Sequence, residues 1–269
     1  TLPDRYLAGL LIAPKKPIII NLEYLSAEPW ITEFHAKASP QAHGIPKYFF
    51  FPGFQENSGG LLLDPIPEES TVLAKQVPAA LEATWSKLRT NAKRISIFCY
   101  PGAPLRKWLE DLGSTGGDYD IVLTHGQTEL LGINTGQQIQ LPETIQLLPI
   151  PFVTQDEYDW LLSQCDFNIV RGEDSFVRAQ LAGKPFLWHI YPQDDGAHQV
   201  KLAAFLDLYL ESASQDLKTA SIAAMTWAMP HEWLKSLDAW KLHSKAWRRH
   251  LLEKHADGGL AARLMRFVA

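Results

Sequence analysis

An α/β fold on a parallel, doubly wound sheet is predicted by three observations. From Arg94 onward, strand-length apolar runs alternate with helix-length segments, the spacing of βαβ units. Pro17–Leu22 is a continuous apolar run, as expected for a strand covered on both faces. Gly183-Lys-Pro185 ends one helix on glycine and opens the next strand.

Taken in order, Leu7–Ile12 reads as the end of a helix broken at Pro14, and Pro17–Leu22 as the first strand, followed by a loop from Glu23 to Trp30. Tyr48–Phe54 is an aromatic strand stopped by Pro52-Gly53, and Asn57–Gly60 is a turn. Residues 61–92 carry Pro65, Pro67 and Pro78 and read as a linker leading into a helix over Ala79–Leu88. Strands are predicted at Ile95–Tyr100, Tyr119–Thr124, Ile145–Ile150, Phe167–Val170 and Phe186–Ile190. Helices are predicted between them at Leu105–Leu112, from Gln127, at Gln155–Gln164 and at Ser175–Ala182. After Pro192 the pattern becomes helical, over Gln199–Leu210, Leu217–Met229, Glu232–His255 and Leu260–Val268.

Composition narrows the function. With 269 residues, 46% of them hydrophobic, and 9 Trp, 8 Tyr and 12 Phe, the chain buries a large core. A net charge of −5 argues against nucleic acid as partner, since duplex binders concentrate Lys and Arg. The short basic clusters Lys15-Lys16 and Arg248-Arg249 read as solvated helix ends. Cys99 and Cys165 stand too far apart for a zinc motif and read as buried free thiols of a cytoplasmic protein. No apolar run approaches the roughly 18 residues of a membrane span, and no signal peptide is visible. The chain opens Thr-Leu-Pro-Asp without Met, which reads as a processed or truncated start.

In open α/β sheets ligands sit beyond the C-terminal strand ends. Three loops fall there: Tyr100-Pro-Gly102, Pro151–Gln155 and Arg171–Ser175. The last is a strand-to-helix turn, which aims backbone N–H groups and a positive dipole end at one spot and suits a diphosphate. Ser175 would add a hydroxyl donor, Glu173 would accept from a sugar hydroxyl and Arg171 would offset the negative charge. The plainer alternative is a helix capped by Asp174 or Ser175 after a tight turn. That explains one residue and leaves Arg171 and Glu173 over.

Phe152 offers a stacking face for a planar base, and the Gln155 amide can donate and accept along an imide edge. The alternative is a core Phe and a helix-start Gln. Phe98 reads as core and Tyr100 as site-lining. In His189–His198, two His and two Asp fit no compact metal motif. Tyr191 ends its strand within reach of a phosphate oxygen, with Gln193 close by. No serine elbow, P-loop or G-x-G-x-x-G occurs, which disfavours hydrolase, NTPase and dehydrogenase chemistry.

Arg171-Gly-Glu-Asp-Ser-Phe-Val-Arg-Ala-Gln180 with Gly183–Gln193 resembles the bacterial elongation-factor-P arginine rhamnosyltransferases. So do Asn21–Glu28, Lys47–Phe54 through Ser58-Gly-Gly60, and Ile150–Gln155, segments that together span most of the chain. The resemblance implies a GT-B architecture and inverting transfer of L-rhamnose from dTDP-β-L-rhamnose to an arginine of elongation factor P, with no cofactor and no metal. Phe152 and Gln155 would contact thymine and Glu173 the deoxyribose, while Arg171, Asp174, Ser175 and Tyr191 would surround diphosphate and sugar, with Phe98 and Tyr100 also on the donor side. It further implies three divisions. Residues 1–85 are the remaining part of an acceptor-side domain and linker, 86–245 the donor domain, and 246–269 C-terminal helices packing back toward the N-terminal domain.

The family's opening pattern D-N-[FY]-G-D-I-G, whose acid is the expected general base, does not occur in these residues. The base is therefore unassigned and Glu173 is read as supporting it. Glu23 and Glu28 read as loop or acceptor contacts. The chain alone is expected to bind donor and transfer little rhamnose. The competing readings are a non-catalytic or truncated dTDP-sugar-binding module, and another GT-B enzyme such as an epimerase.

Overall fold

The computed structural model describes residues 3–15, 17–63, 76–132, 140–228 and 230–269. Two compact units divide the chain: Thr1–Leu63 with Ala203–Leu208 and Leu251–Ala269, and Asp64–Leu202 with Tyr209–His250.

The first unit contains helix α1 (Asp4–Leu11), strand β1 (Ile19–Leu22), one helical turn α2 (Ile31–Phe34), and strands β2 (Ala38–Ser39) and β3 (Lys47–Phe50). β3 lies between β1, its parallel partner, and β2, which runs antiparallel. Ile31, Phe50, Phe54 and Leu61 are buried at its centre. Phe267 of the C-terminal helix meets the Tyr48 ring edge-on at 5.1 Å, and Leu260 donates its amide to Leu61 O at 2.7 Å. The expectation that the first strand is covered on both faces fails. Among the described residues β1 is an edge strand, and its Leu22 is 55% exposed. The strand predicted over Tyr48–Phe54 ends at Phe50, because the Phe51 amide turns to His35 Nδ1 at 3.1 Å and Pro52 has no N–H to offer.

The second unit opens with a 3-10 turn (Ala79–Leu81) and α3 (Glu82–Trp85), shorter than the helix predicted there. The linker prolines Pro65 and Pro67 lie outside the described residues. Residues 76–85 fall in this unit rather than with the N-terminal part, because Leu81 packs into a core cluster with Val122, Ile150 and Leu161. Then β4 (Lys93–Ile97), α4 (Leu105–Gly113), β5 (Tyr119–Leu123), α5 (Gln127–Leu130), β6 (Ile145–Pro149), α6 (Gln155–Gln164), β7 (Phe167–Arg171), α7 (Asp174–Leu181) and β8 (Phe186–His189) follow in strict alternation.

The five strands form one parallel sheet in the order β6-β5-β4-β7-β8. Gly183, with φ +66°, follows α7 in the left-handed conformation that ends helices. The chain winds outward from β4 in one direction through β5 and β6, then returns to the other side of β4 with β7. The order therefore reverses between β4 and β7, and loops leaving those strands splay apart to open a crevice at the sheet's C-terminal edge.

Helices α8 (Ala197–Tyr209), α9 (Gln215–Met225), α10 (Pro230–Leu234), α11 (Leu237–Lys254) and α12 (Gly259–Val268) complete the chain. Where sequence predicts a single helix over Glu232–His255, the chain breaks between Leu234 and Leu237. The break lets Trp233 turn onto the sheet, its ring stacked 4.3 Å from Phe167 and edge-on to Trp240 at 6.4 Å. Trp233 is fully buried. Trp233→Ala should therefore cost about 3–5 kcal/mol, the usual penalty for deleting a core aromatic. Urea unfolding measures it, and a loss below about 1 kcal/mol would show that the α10 packing is dispensable.

Candidate functional site

The crevice holds a cavity of about 480 Å³. Its walls come from four loops, each leaving the C-terminal end of a strand: Phe98 and Tyr100 after β4, Thr124 and His125 after β5, Pro151–Gln155 after β6, and Arg171–Ser175 at the end of β7.

The β7–α7 turn is its most organised wall. Gly172 takes φ +67°, a conformation a side chain rarely adopts, and a Cβ there would stand 3.3 Å from the Tyr100 hydroxyl. Its carbonyl accepts from Trp188 Nε1 at 2.7 Å. Ser175 Oγ accepts from the Arg171 amide at 3.2 Å and donates to the Arg171 carbonyl, closing the turn. Ser175, expected to offer a hydroxyl donor to a ligand, here ties the backbone of the turn. Neither Asp174 nor Ser175 caps the helix. The N-cap position is Glu173, without a side-chain cap bond. Glu173 therefore gives the first amides of α7 no cap from its own side chain.

Arg171 lies over two rings, 4.2 Å from the Phe98 centroid and 4.9 Å from Tyr100, and its Nη1 donates to Cys99 O at 3.3 Å. Phe98 lines the cavity as Tyr100 does, contrary to its reading as core. Residues two apart share a face, and the one turned inward is Cys99, fully buried. Burial raises the Tyr100 phenol and lowers the His189 imidazole, and Arg171 pulls both down. Burial also pushes the Cys99 thiol up to about 12, so this free cysteine stays protonated.

Phe152 is 83% exposed, with the His125 ring edge-on at 6.0 Å, so it is no core residue. Gln155, also exposed, donates Nε2 to Asp174 Oδ2 at 3.1 Å. The same oxygen accepts from Arg178 Nε at 2.9 Å, and Arg178 Nη1 reaches Asp159 Oδ2 at 2.6 Å. Glu173 pairs with Lys201 Nζ at 3.1 Å. Tyr191 is 63% exposed and edge-on to Tyr100 at 5.3 Å, beside the cavity rather than on its wall. Gln193 is likewise off the wall, its amide donating to His198 Nδ1 at 3.0 Å. His189 Nδ1 accepts from the backbone amide of Tyr100, in the loop after β4, at 3.1 Å, so each of the two histidines holds a backbone amide. In the first unit Glu23 accepts from Asn21 Nδ2, and Glu28 accepts from Ser26 Oγ and Trp30 Nε1, each carboxylate bound within its own loop.

Sequence reading missed Lys201, Asp159 and the role of Arg178. Lys201 lies 28 residues from its partner, a separation that carries no local signal. Arg178 did carry one: an arginine four residues after Asp174, on a helix otherwise rich in Phe, Val, Ala and Leu, is placed to bury against an acid.

The whole chain, residues 1–269, matches the family described as Elongation-Factor P (EF-P) rhamnosyltransferase EarP. It is 36% identical to a protein-arginine rhamnosyltransferase of Pseudomonas putida, over 91% of this chain and 70% of that protein. It is also 36% identical to one of Pseudomonas aeruginosa, over 100% of this chain and 76% of that protein. A solved structure concerned with EarP-mediated arginine glycosylation of translation elongation factor EF-P superposes with a TM-score of 0.62 and 31% identity, covering 82% of this chain and 75% of that one.

Asp159 yields a test of the site's electrostatics. Its Oδ1 is buried without a donor among the described residues, and burial pushes its pKa from 3.8 up to about 6 although Arg178 pulls it down. A carboxyl raised in the folded state contributes stability that is complete below pH 4 and is lost as pH rises through about 6. Asp159→Asn has no such titration. Its stability relative to wild type should climb between pH 4 and 6 and level off above 7, as measured by urea unfolding. Parallel pH curves for the two proteins would refute the raised pKa.

Proposed function

The chain belongs to the elongation-factor-P rhamnosyltransferase family, and we propose that it transfers L-rhamnose, with inversion, from dTDP-β-L-rhamnose to an arginine of elongation factor P. The observation that carries the donor assignment is the pairing of an exposed aromatic and an exposed amide, Phe152 and Gln155, with an uncapped helix start beside Arg171. One end suits a planar base and the other a diphosphate, and about 480 Å³ accommodates a nucleotide sugar.

In this reading thymine stacks on Phe152 and meets the Gln155 amide. Glu173 accepts from a deoxyribose hydroxyl, with Lys201 fixing the carboxylate in place. The diphosphate lies on the first amides of α7, and the Arg171 N–H groups not used by Cys99 O face it. Tyr191 extends the site toward the sugar.

Transfer forms a bond from an acceptor guanidinium nitrogen to the anomeric carbon and breaks the bond to the departing diphosphate oxygen. The charge developing on that oxygen is where Arg171 and the α7 amides act. Seated over two rings and tied to Cys99 O, Arg171 needs little reorganisation to do so. Because the guanidinium stays protonated at neutral pH, a carboxylate must take its proton as the bond forms, and none of the cavity residues is assigned that task. An acceptor that is a translation factor sets the reaction in the cytoplasm. The alternative of a non-catalytic dTDP-sugar-binding module shares every donor contact and differs only in the transfer step.

Phe152→Ala should weaken dTDP binding by about 1–3 kcal/mol through lost stacking while leaving the thermal midpoint unchanged, since the ring packs into no core. Calorimetry should show dTDP preferred over dADP and dGDP, and equal affinities would sink the base assignment. EDTA should leave donor affinity unaltered, because Arg171 and the α7 amides meet the charge in this scheme. For the transfer itself, stoichiometric chain with donor and elongation factor P is followed by intact-mass spectrometry. A slow gain of one deoxyhexose on one arginine is expected, and Glu173→Ala should suppress it. Donor binding without any gain would favour the non-catalytic module.

A further inference from the structure

Strand β4 ends at Ile97 and β5 at Leu123, so the ladder between them stops short of Cys99. A buried side chain takes its place. Gln127, only 2% exposed, accepts from the Cys99 amide through Oε1 at 3.0 Å and donates Nε2 to the Cys99 carbonyl at 3.3 Å. The Cys99 thiol donates to the same Oε1 at 3.2 Å. A side-chain amide both accepts and donates as a peptide group does, so Gln127 stands in for a missing strand residue. Only one orientation of the amide serves both backbone bonds, because an N–H cannot accept and a carbonyl cannot donate.

Gln127 is itself anchored. It opens α5 behind Gly126, which takes φ +82°, and its own backbone amide donates to Thr124 O at 3.1 Å. Thr124 in turn donates its amide and its hydroxyl to Ile97 O, at 3.2 and 3.0 Å. The chain leaving β5 thus folds back onto the end of β4. Gln127 is not among the residues that line the cavity, so whatever it contributes there passes through Cys99.

Holding the N–H and the C=O of one residue fixes the two planar peptide units that flank it, and so places the residues on either side. Those residues are Phe98 and Tyr100, whose ring centroids lie 4.2 and 4.9 Å from the Arg171 guanidinium. The Cys99 carbonyl has two lone pairs, and two donors share it: Gln127 Nε2 and Arg171 Nη1, each at 3.3 Å. Two rings and one carbonyl make the seat of Arg171, and Gln127 fixes all three. We infer that Gln127 is a positioning residue for the diphosphate of the donor: it holds the seat of Arg171 and so aims the guanidinium at the negative charge. The inference rests on the reading that the diphosphate lies beside Arg171.

The test is a double-mutant cycle in dTDP affinity, read by calorimetry on wild type, Gln127→Met, Arg171→Met and the double variant. Methionine keeps the length of the side chain and removes both backbone bonds. Gln127→Met should weaken dTDP about fivefold to tenfold, because Arg171 must then be ordered by the ligand. In the Arg171→Met background the same change should alter dTDP affinity by less than about twofold. Thymidine, which lacks phosphate, should bind wild type and Gln127→Met within about twofold of each other in an NMR titration.

A loss of dTDP affinity equal in both backgrounds, or a thymidine affinity that falls by the same factor, would make Gln127 a structural residue only and overturn the inference. An unchanged dTDP affinity in Gln127→Met would overturn it too. If that variant does not fold, Gln127→Asn carries the same cycle with the same expectations, since its neutral amide is one methylene too short to reach both groups of Cys99. An Arg171→Met protein that binds dTDP as tightly as wild type would sink the diphosphate reading itself, and the inference with it.

Discussion

The cavity depends on one backbone turn. β7 must stop, reverse the direction of its N–H groups and start α7 within three residues, and only a glycine at 172 takes φ +67° there without strain. The turn is tied from three directions, through Trp188 to the Gly172 carbonyl, Ser175 to the Arg171 carbonyl and amide, and Arg171 to Cys99 O. The same turn brings Arg171 and Glu173 to the cavity rim. Because β7 lies next to β4, where the strand order reverses, the turn faces the loop carrying Phe98 and Tyr100. The site is therefore a property of topology before it is a property of any side chain.

Much of this was legible in the sequence, for physical reasons. Strands β5, β7 and β8 are buried along most of their length, so their sequences are largely apolar, and the helices between the strands make the crossover connections that parallel pairing needs. The loops that line the cavity could be placed because ligand crevices in such sheets follow strand ends. What failed depended on distance or on small geometric offsets. β1 looks identical to a central strand in composition, and only pairing shows that it is an edge. Phe98 needed its facing parity counted against Cys99. The break between Leu234 and Leu237 carries neither glycine nor proline and arises from tertiary packing of Trp233 on Phe167. Lys201 reaches Glu173 across 28 residues, beyond any periodicity.

The chain carries a net charge of −5, yet net charge governs long-range behaviour and not a pocket. The carboxylates at the rim are already engaged, Glu173 by Lys201 and Asp174 by Arg178 and Gln155. What faces the cavity near the turn is then dominated by Arg171 and by backbone N–H groups. Placing Arg178 beneath the surface costs desolvation that its two carboxylates offset, and it makes an exposed acid into a fixed acceptor.

Presentation of Phe152 follows from the same economy of local ties. A largely exposed aromatic ring would ordinarily sample many positions and lose entropy on binding. Here it stands between Pro151 and the start of α6, where Thr154 and Glu157 form a reciprocal capping box, Thr154 N to Glu157 Oε2 at 2.8 Å and Glu157 N to Thr154 Oγ1 at 3.4 Å. Proline restricts the chain before the ring and the capping box fixes it after. Rigidity in this loop therefore comes from backbone constraints two residues away, and the ring itself remains uncovered for a ligand. Of the two residues proposed to meet the base, Phe152 stands two positions before Thr154 and Gln155 lies within the box, so the box fixes the backbone between them.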